Sequence, residues 1–111
     1  MKAFSLDPGR LRTRLVLEAP TQVPDGMGGH VETWSEAAVV YAAVEPVRPR
    51  VALVAGQSDT SITNRITIRM TDAVTRACRF RRGERFYSIR SIQDPDGSGR
   101  YLVCETREEG R

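Results

Sequence analysis

Residues 25–34 read Asp25-Gly26-Met27-Gly28-Gly29-His30-Val31-Glu32-Thr33-Trp34, a glycine-rich stretch set between two strand-like runs. Glycine takes positive φ without steric cost, so Gly26, Gly28 and Gly29 together predict a sharp reversal of the backbone. Trp34 anchors the chain as it returns. The pattern predicts a β-hairpin whose second strand re-enters a core, and it turns the fold toward antiparallel sheet. No nucleophile, general base or set of metal ligands accompanies the turn.

The flanking runs have the period of strands. Leu11, Thr13, Leu15, Leu17 and Ala19 alternate with Arg12, Arg14, Val16 and Glu18, which predicts one apolar and one mostly charged face, ending at Pro20. Ala37 to Val47 is a nearly continuous apolar run. Its β-branched residues, Tyr41 and the closing Pro46 and Pro49 favour a strand buried on both faces over a short helix. Ile62, Asn64, Ile66, Ile68 and Met70 alternate with Thr63, Arg65, Thr67 and Arg69, the clearest strand of the chain. Arg85 to Ile92 and Tyr101 to Thr106 are joined by Asp94-Pro95-Asp96-Gly97-Ser98-Gly99, so they predict an antiparallel hairpin. Arg81-Arg82-Gly83-Glu84 predicts a tight turn before that hairpin.

Between Arg48 and Ser61 the alternation stops. Pro49 and Gly56 limit any helix over Val51–Ala55 to a turn or two, and irregular connections of this length in small domains are usually functional or disordered. Short strands with glycine-rich turns and one long loop predict an all-β fold, a small antiparallel β-barrel of about five to seven strands with one long projecting loop. The chain of 111 residues is sized for one core, so residues 1–111 are expected to form one domain. Met1 to Gly9 and Arg107 to Arg111 are expected to be mobile ends.

Composition narrows the function classes. With 40% hydrophobic and 28% charged residues the chain is neither disordered nor fibrous by composition. No apolar run approaches the roughly 20 residues of a membrane span, and Met1-Lys2-Ala3-Phe4-Ser5 lacks the apolar centre of a signal peptide, so the protein is expected to stay where it is made. Its 17 basic residues exceed the 14 acidic ones by only three, and every basic residue except Lys2 is arginine. Arginine forks suit phosphates and carboxylates, but a small excess scattered along the chain is a weak nucleic-acid footprint. Cys78 and Cys104 have no CxxC partner and read as buried reduced thiols. His30, the single histidine, has no second ligand or nucleophile beside it. Catalytic residues, metal ligands and cofactors are therefore expected to be none.

With those elements placed, the chain resembles the small head-tail joining proteins of long-tailed bacteriophages, also called head completion or stopper proteins, including relatives in gene transfer agents. The resemblance runs from Asp7 to about Arg107. It rests on Asp7-Pro8-Gly9-Arg10-Leu11-Arg12, Asp25-Gly26-Met27-Gly28-Gly29 and Glu32-Thr33-Trp34. Tyr41-Ala42-Ala43-Val44-Glu45-Pro46, Asn64-Arg65-Ile66-Thr67-Ile68-Arg69, Phe86-Tyr87-Ser88-Ile89 and Ile92-Gln93-Asp94-Pro95 complete it. Their order and spacing are more specific than any one of them.

The resemblance implies a structural connector rather than an enzyme. Such proteins form a ring, here expected in six or twelve copies, between the portal or adaptor ring and the tail terminator or tail-tube proteins. They close the DNA channel and dock the tail, without sequence-specific DNA contact and without a membrane, in the neck of a particle assembled in the bacterial cytoplasm. The loop that faces the channel in such proteins corresponds to Arg48, Arg50, Val51, Leu53, Val54, Gly56 and Gln57. It carries small apolar residues and no aromatic. Arg12, Arg14, Arg65 and Arg69 are expected on the surface, against acidic neighbours or DNA phosphates. Two other classes compete. A free-standing nucleic-acid-binding β-barrel should interleave exposed aromatics with basic residues, but Trp34, Tyr41 and Phe86 read as core. A small hydrolase lacks a nucleophile and base pair.

Overall fold

The computed structural model describes residues 6–47 and 62–110. Six strands make up almost all of it: β1 (Thr13–Pro24), β2 (His30–Pro46), β3 (Asn64–Arg69), β4 (Arg79–Arg82), β5 (Arg85–Gln93) and β6 (Tyr101–Gly110). Every neighbouring pair is antiparallel, and one sheet closes on itself in the order β1, β2, β3, β6, β5, β4. The fold is the expected all-β barrel. Closure removes the free edges that an open sheet of this size would expose.

The interior follows from the period-two pattern. Leu15 and Leu17 of β1, Ala42 of β2, Ile66 and Ile68 of β3, Phe80 of β4, Tyr87 and Ile89 of β5, and Leu102 and Cys104 of β6 form one buried cluster. Burying a large apolar side chain is worth about 1.5–3 kcal/mol, so this cluster is what holds the strands in register. Cys78 and Cys104 are buried free thiols within it, and burial pushes the Cys104 thiol up to about 12, which keeps it protonated and unreactive at neutral pH. At one end of the barrel the Val47 amide donates to the Thr63 carbonyl at 2.9 Å, and the Thr63 amide donates to the Thr106 carbonyl at 2.8 Å. The two ends of the 48–61 connection are thus tied to each other and to β6.

β1 and β2 outrun the barrel. β4 pairs with β1 only at Val16, Leu17 and Glu18, whereas β1 and β2 stay paired to Pro24 and His30. A register shift between Leu17 and Glu18 sets Leu17 opposite Ala38 and Glu18 opposite Glu36, leaving Ala37 as an extra residue. Bulges of this kind bend and twist a strand pair. Beyond it β1 and β2 continue as a two-stranded arm, and residues 21–28 and 30–33 are all exposed. The molecule measures 53 × 36 × 26 Å along its principal axes, as a small barrel with such an arm would.

Several sequence expectations change. Pro20 does not end β1; it pairs with Trp34 inside the arm. Past Glu18 no described strand flanks β1 on its β4 side, so Pro20 sits in an edge strand, where proline is tolerated. The Ala37–Val47 run is not buried on both faces: Ala38 and Val40 pack inward, while Val39 and Tyr41 are 38% and 55% exposed. Val16 and Glu18, read as members of a charged outer face, are 5% and 9% exposed. β4 was not expected as a strand at all. Arg107 to Gly110, expected as a mobile end, are the last part of β6, with Arg107 opposite Ser88 and Gly110 opposite Arg85. Pro8–Arg10 form a turn of 3-10 helix whose first amides are capped by Asp7, its carboxylate accepting from the Gly9 amide at 2.9 Å.

Candidate functional site

The arm tip is built by one aspartate and two left-handed glycines. The Asp25 carboxylate accepts the amides of Met27 at 2.7 Å and Gly29 at 3.1 Å, and the Asp25 amide donates to the Gly29 carbonyl at 3.1 Å. Gly26 and Gly28 have φ of 80° and 86°, a region that side chains disfavour. Gly29 does not share it; a Cβ there would lie 2.9 Å from the Asp25 carboxylate, so its glycine makes room rather than a turn. The result lifts Met27 into solvent, 90% exposed, above the cross-strand pair Val23 and Val31, 43% and 52% exposed. All three are apolar and open to solvent.

The arm is rooted by a charged cluster. Glu18, its side chain 11% exposed, accepts from Arg79 Nε at 2.8 Å and from Arg81 Nε at 3.0 Å. Burial works against the Glu18 carboxylate, but the two guanidinium hydrogen bonds and their charges together outweigh it and hold its pKa below the ordinary value. The Arg79 guanidinium lies between two rings, 4.0 Å from Trp34 and 4.1 Å from Phe86. Trp34 and Phe86 are therefore not core residues. They clamp the cation that Glu18 orients, and so join the arm (Trp34) to β4 and β5 beside a cleft of about 170 Å³.

A second surface lies farther along the same strands. Pro8, Leu11, Val39, Tyr41, Arg69 and Met70 line an open groove of about 520 Å³ on the outside of the barrel. Exposed Val39, Tyr41 and Met70 make part of its lining apolar, together with Ala38 and Val40, which also pack against the core. Arg14 stands directly opposite Tyr41 across the β1–β2 ladder.

The four arginines named from sequence are all exposed, as expected. They do not act alike. Arg65 approaches Glu105 at 3.9 Å, whereas Arg12, Arg14 and Arg69 form no ion pair among the described residues; Arg69 lines the groove and Arg14 faces Tyr41 beside it. Arg48, Arg50, Val51, Leu53, Val54, Gly56 and Gln57 lie outside the described residues. The arginines are not scattered: no arginine or lysine occurs between Arg14 and Arg48, a stretch holding Glu18, Asp25, Glu32, Glu36 and Glu45. That gap was the sequence signal for a polarised molecule. Elsewhere Arg85 makes a two-pronged bond to Glu108 at 2.7 and 2.9 Å, which lowers the Glu108 pKa. Among the described residues no three His, Cys, Asp or Glu side chains gather where they could hold a metal ion, and Tyr41 is the one exposed aromatic.

The profile of the phage head completion protein family matches residues 6–109. Two solved structures are similar over nearly their whole length. A chain from the virion of a native gene transfer agent particle is 26% identical with a TM-score of 0.63, the match covering 90% of this chain and 96% of that one. A protein of Shigella flexneri 2a, solved in solution, is 27% identical with a TM-score of 0.71, covering 93% and 96%. No curated protein sequence matches.

Proposed function

The chain belongs to the phage head completion protein family, and from that premise we propose that it connects the head and tail of a phage or phage-like particle. In this reading copies of the chain form a ring between the portal or adaptor ring and the tail proteins, close the DNA channel and present the platform on which the tail docks. The observation that carries it is the family match over residues 6–109, which takes in the arm, the closed sheet and both strands flanking the 48–61 connection. The similarity to a chain of a gene transfer agent virion supports a place in a particle. So does the surface. A subunit that meets a copy of itself head to tail needs two different faces, and this one has an arm with an apolar tip and acidic strands at one end of a strand pair and a groove lined by Arg69 at the other.

A nucleic-acid-binding module would need a row of exposed rings for bases to stack on. Trp34 and Phe86 are occupied by Arg79, which leaves Tyr41 as the one exposed aromatic among the described residues.

The test is deletion of the gene in the host that makes the particles, followed by electron microscopy. DNA-filled heads without tails, restored by supplying the chain from a plasmid, are expected. Tailed particles in normal number would overturn the connector reading. Channel closure, assigned to residues 48–61 by resemblance, is tested separately by shortening that connection to a tight turn. Its ends are already bonded through Val47 and Thr63, and halving a loop changes closure entropy by only about 0.6 kcal/mol, so the barrel should melt as before. Particles carrying the short form should lose DNA. If they retain it and join tails, closure lies elsewhere.

A further inference from the structure

We propose that the arm tip of one copy docks into the Tyr41 groove of the next, so that arm and groove are the two halves of one self-complementary contact. This rests on the connector reading only for its setting in a ring; the contact itself is argued from the two surfaces.

The tip offers Met27, Val23 and Val31 to solvent, and a ribbon two strands wide has no core in which to hide them. The groove offers exposed Val39, Tyr41 and Met70, with Pro8 and Leu11 also in its lining. Charge fits as well. The arm carries Asp25, Glu32 and Glu36, all exposed, and no arginine or lysine. Exposed Arg69 lines the groove and exposed Arg14 stands opposite Tyr41 beside it, and neither these two nor the carboxylates of the arm form an ion pair among the described residues. Opposite potentials facing each other steer association and reject the reversed arrangement.

The contact must be between copies. Val31 and Tyr41 lie on the same strand, and at about 3.3 Å per residue they are roughly 30 Å apart, so no arm can bend back to its own groove. Because arm and groove are different surfaces, the contact is heterologous and repeats from copy to copy. It is also small: the arm presents far fewer than the roughly 20 residues a side of a stable interface, so in dilute solution the chain is monomeric and the contact is made under the high local concentration of an assembly. This assigns Arg14 and Arg69 to protein carboxylates rather than to DNA phosphates.

Two variants of the full chain, each with one surface blocked, test this. Met27→Asp spoils the arm and leaves the groove; Tyr41→Asp spoils the groove and leaves the arm. Both positions are exposed, and matching melting curves would verify that both variants fold. When unlabelled Tyr41→Asp chain is titrated into isotope-labelled Met27→Asp chain, NMR shifts are expected at Val39, Arg69 and Met70, and none when either variant is concentrated alone. Glu32→Arg in the arm donor should weaken binding about tenfold, and Arg14→Glu in the groove donor should restore most of it. In assembled particles a photo-crosslinking side chain at position 27 should capture a second copy of this chain. Absence of shifts at millimolar concentration, capture of a different particle protein, or groove shifts produced by a DNA oligonucleotide at the same salt in place of the arm would each overturn the proposal. Failure of the gene deletion to block tail joining would instead remove the connector reading and leave this titration to stand on its own result.

Discussion

β1 and β2 pass through two environments without a break in pairing. Between Val16 and Glu18, β1 is flanked on both sides, by β2 and by β4, and Leu15 to Glu18 are buried. Between Ala19 and Pro24 it has β2 alone, and residues from Thr21 onward are exposed on both faces. The same ladder is thus core in one half and a free ribbon in the other, and Glu18 marks the boundary. What differs is the second partner strand and the cover over the side chains, and an isolated two-stranded hairpin is marginal in water at best. Stability is therefore concentrated in the barrel, while the arm is free to be specialised for contact.

The strongest way to break that division is to cut into the barrel. Phe80 is fully buried at the centre of the cluster, and Phe80→Ala should cost about 3–5 kcal/mol, read as a lower midpoint in chemical denaturation. No substitution at the arm tip should approach this.

Next in size is the boundary itself. Glu18→Gln removes the charge that two partly buried guanidinium groups share, and a loss of about 2–3 kcal/mol is expected at neutral pH. The pH dependence identifies the cause. Glu18 has a folded pKa below its ordinary value of 4.5, so its contribution is complete above that value and disappears as pH falls through the folded pKa. Stability curves of the parent and of Glu18→Gln should therefore converge below pH 4.5 and stay parallel above it. A gap that persists unchanged into acid would mean that Glu18 acts by packing rather than by charge.

The division between barrel and arm was half visible in the sequence. β3 shows its period because Ile66 and Ile68 face the interior while Arg65 and Arg69 face water, and the β5–β6 hairpin shows its turn because Asp94 and two glycines have few other uses. The Asp94 carboxylate does accept the amides of Gly97 and Gly99, at 2.9 and 2.8 Å. β4 was missed because a strand of Arg79, Phe80, Arg81 and Arg82 has one apolar side chain and no alternation to read. The first strand was ended at Pro20, and the arm beyond it missed, because proline was taken to end a ladder, whereas on an edge strand it is tolerated. Trp34 and Phe86 were assigned to the core by residue type. Their partner is a cation brought in from another strand, a relation between positions that no local pattern carries. The absence of basic residues between Arg14 and Arg48 was legible and marks the acidic arm directly.

A smaller effect should come from the clamp that ties the arm down. Trp34→Ala removes one of the two rings on Arg79 but leaves Phe86 and the Glu18 bonds in place, so the global cost should be about 1 kcal/mol. Trp34→Phe keeps a ring there and should recover part of it. A loss as large as that of Phe80→Ala would mean that the arm and barrel unfold as one body and that the boundary at Glu18 has no energetic meaning.

The smallest expected effect on stability is at the tip, and it decides the comparison. Met27 is 90% exposed and touches no core, so Met27→Ala should shift stability by less than about 0.5 kcal/mol. Amide exchange supplies the independent measurement. Arm amides such as those of Thr21 and Thr33 should exchange through local opening, orders of magnitude faster than those of Leu15, Ile66 and Cys104, whose release needs global unfolding. If exchange is uniform along β1 from Leu15 to Val23, the arm is as firmly held as the barrel, and its exposed apolar tip would have to be explained without a partner. If Met27→Ala instead leaves both melting and exchange unchanged while weakening the association between copies, the tip owes its methionine to contact alone, because nothing in the folded chain requires it.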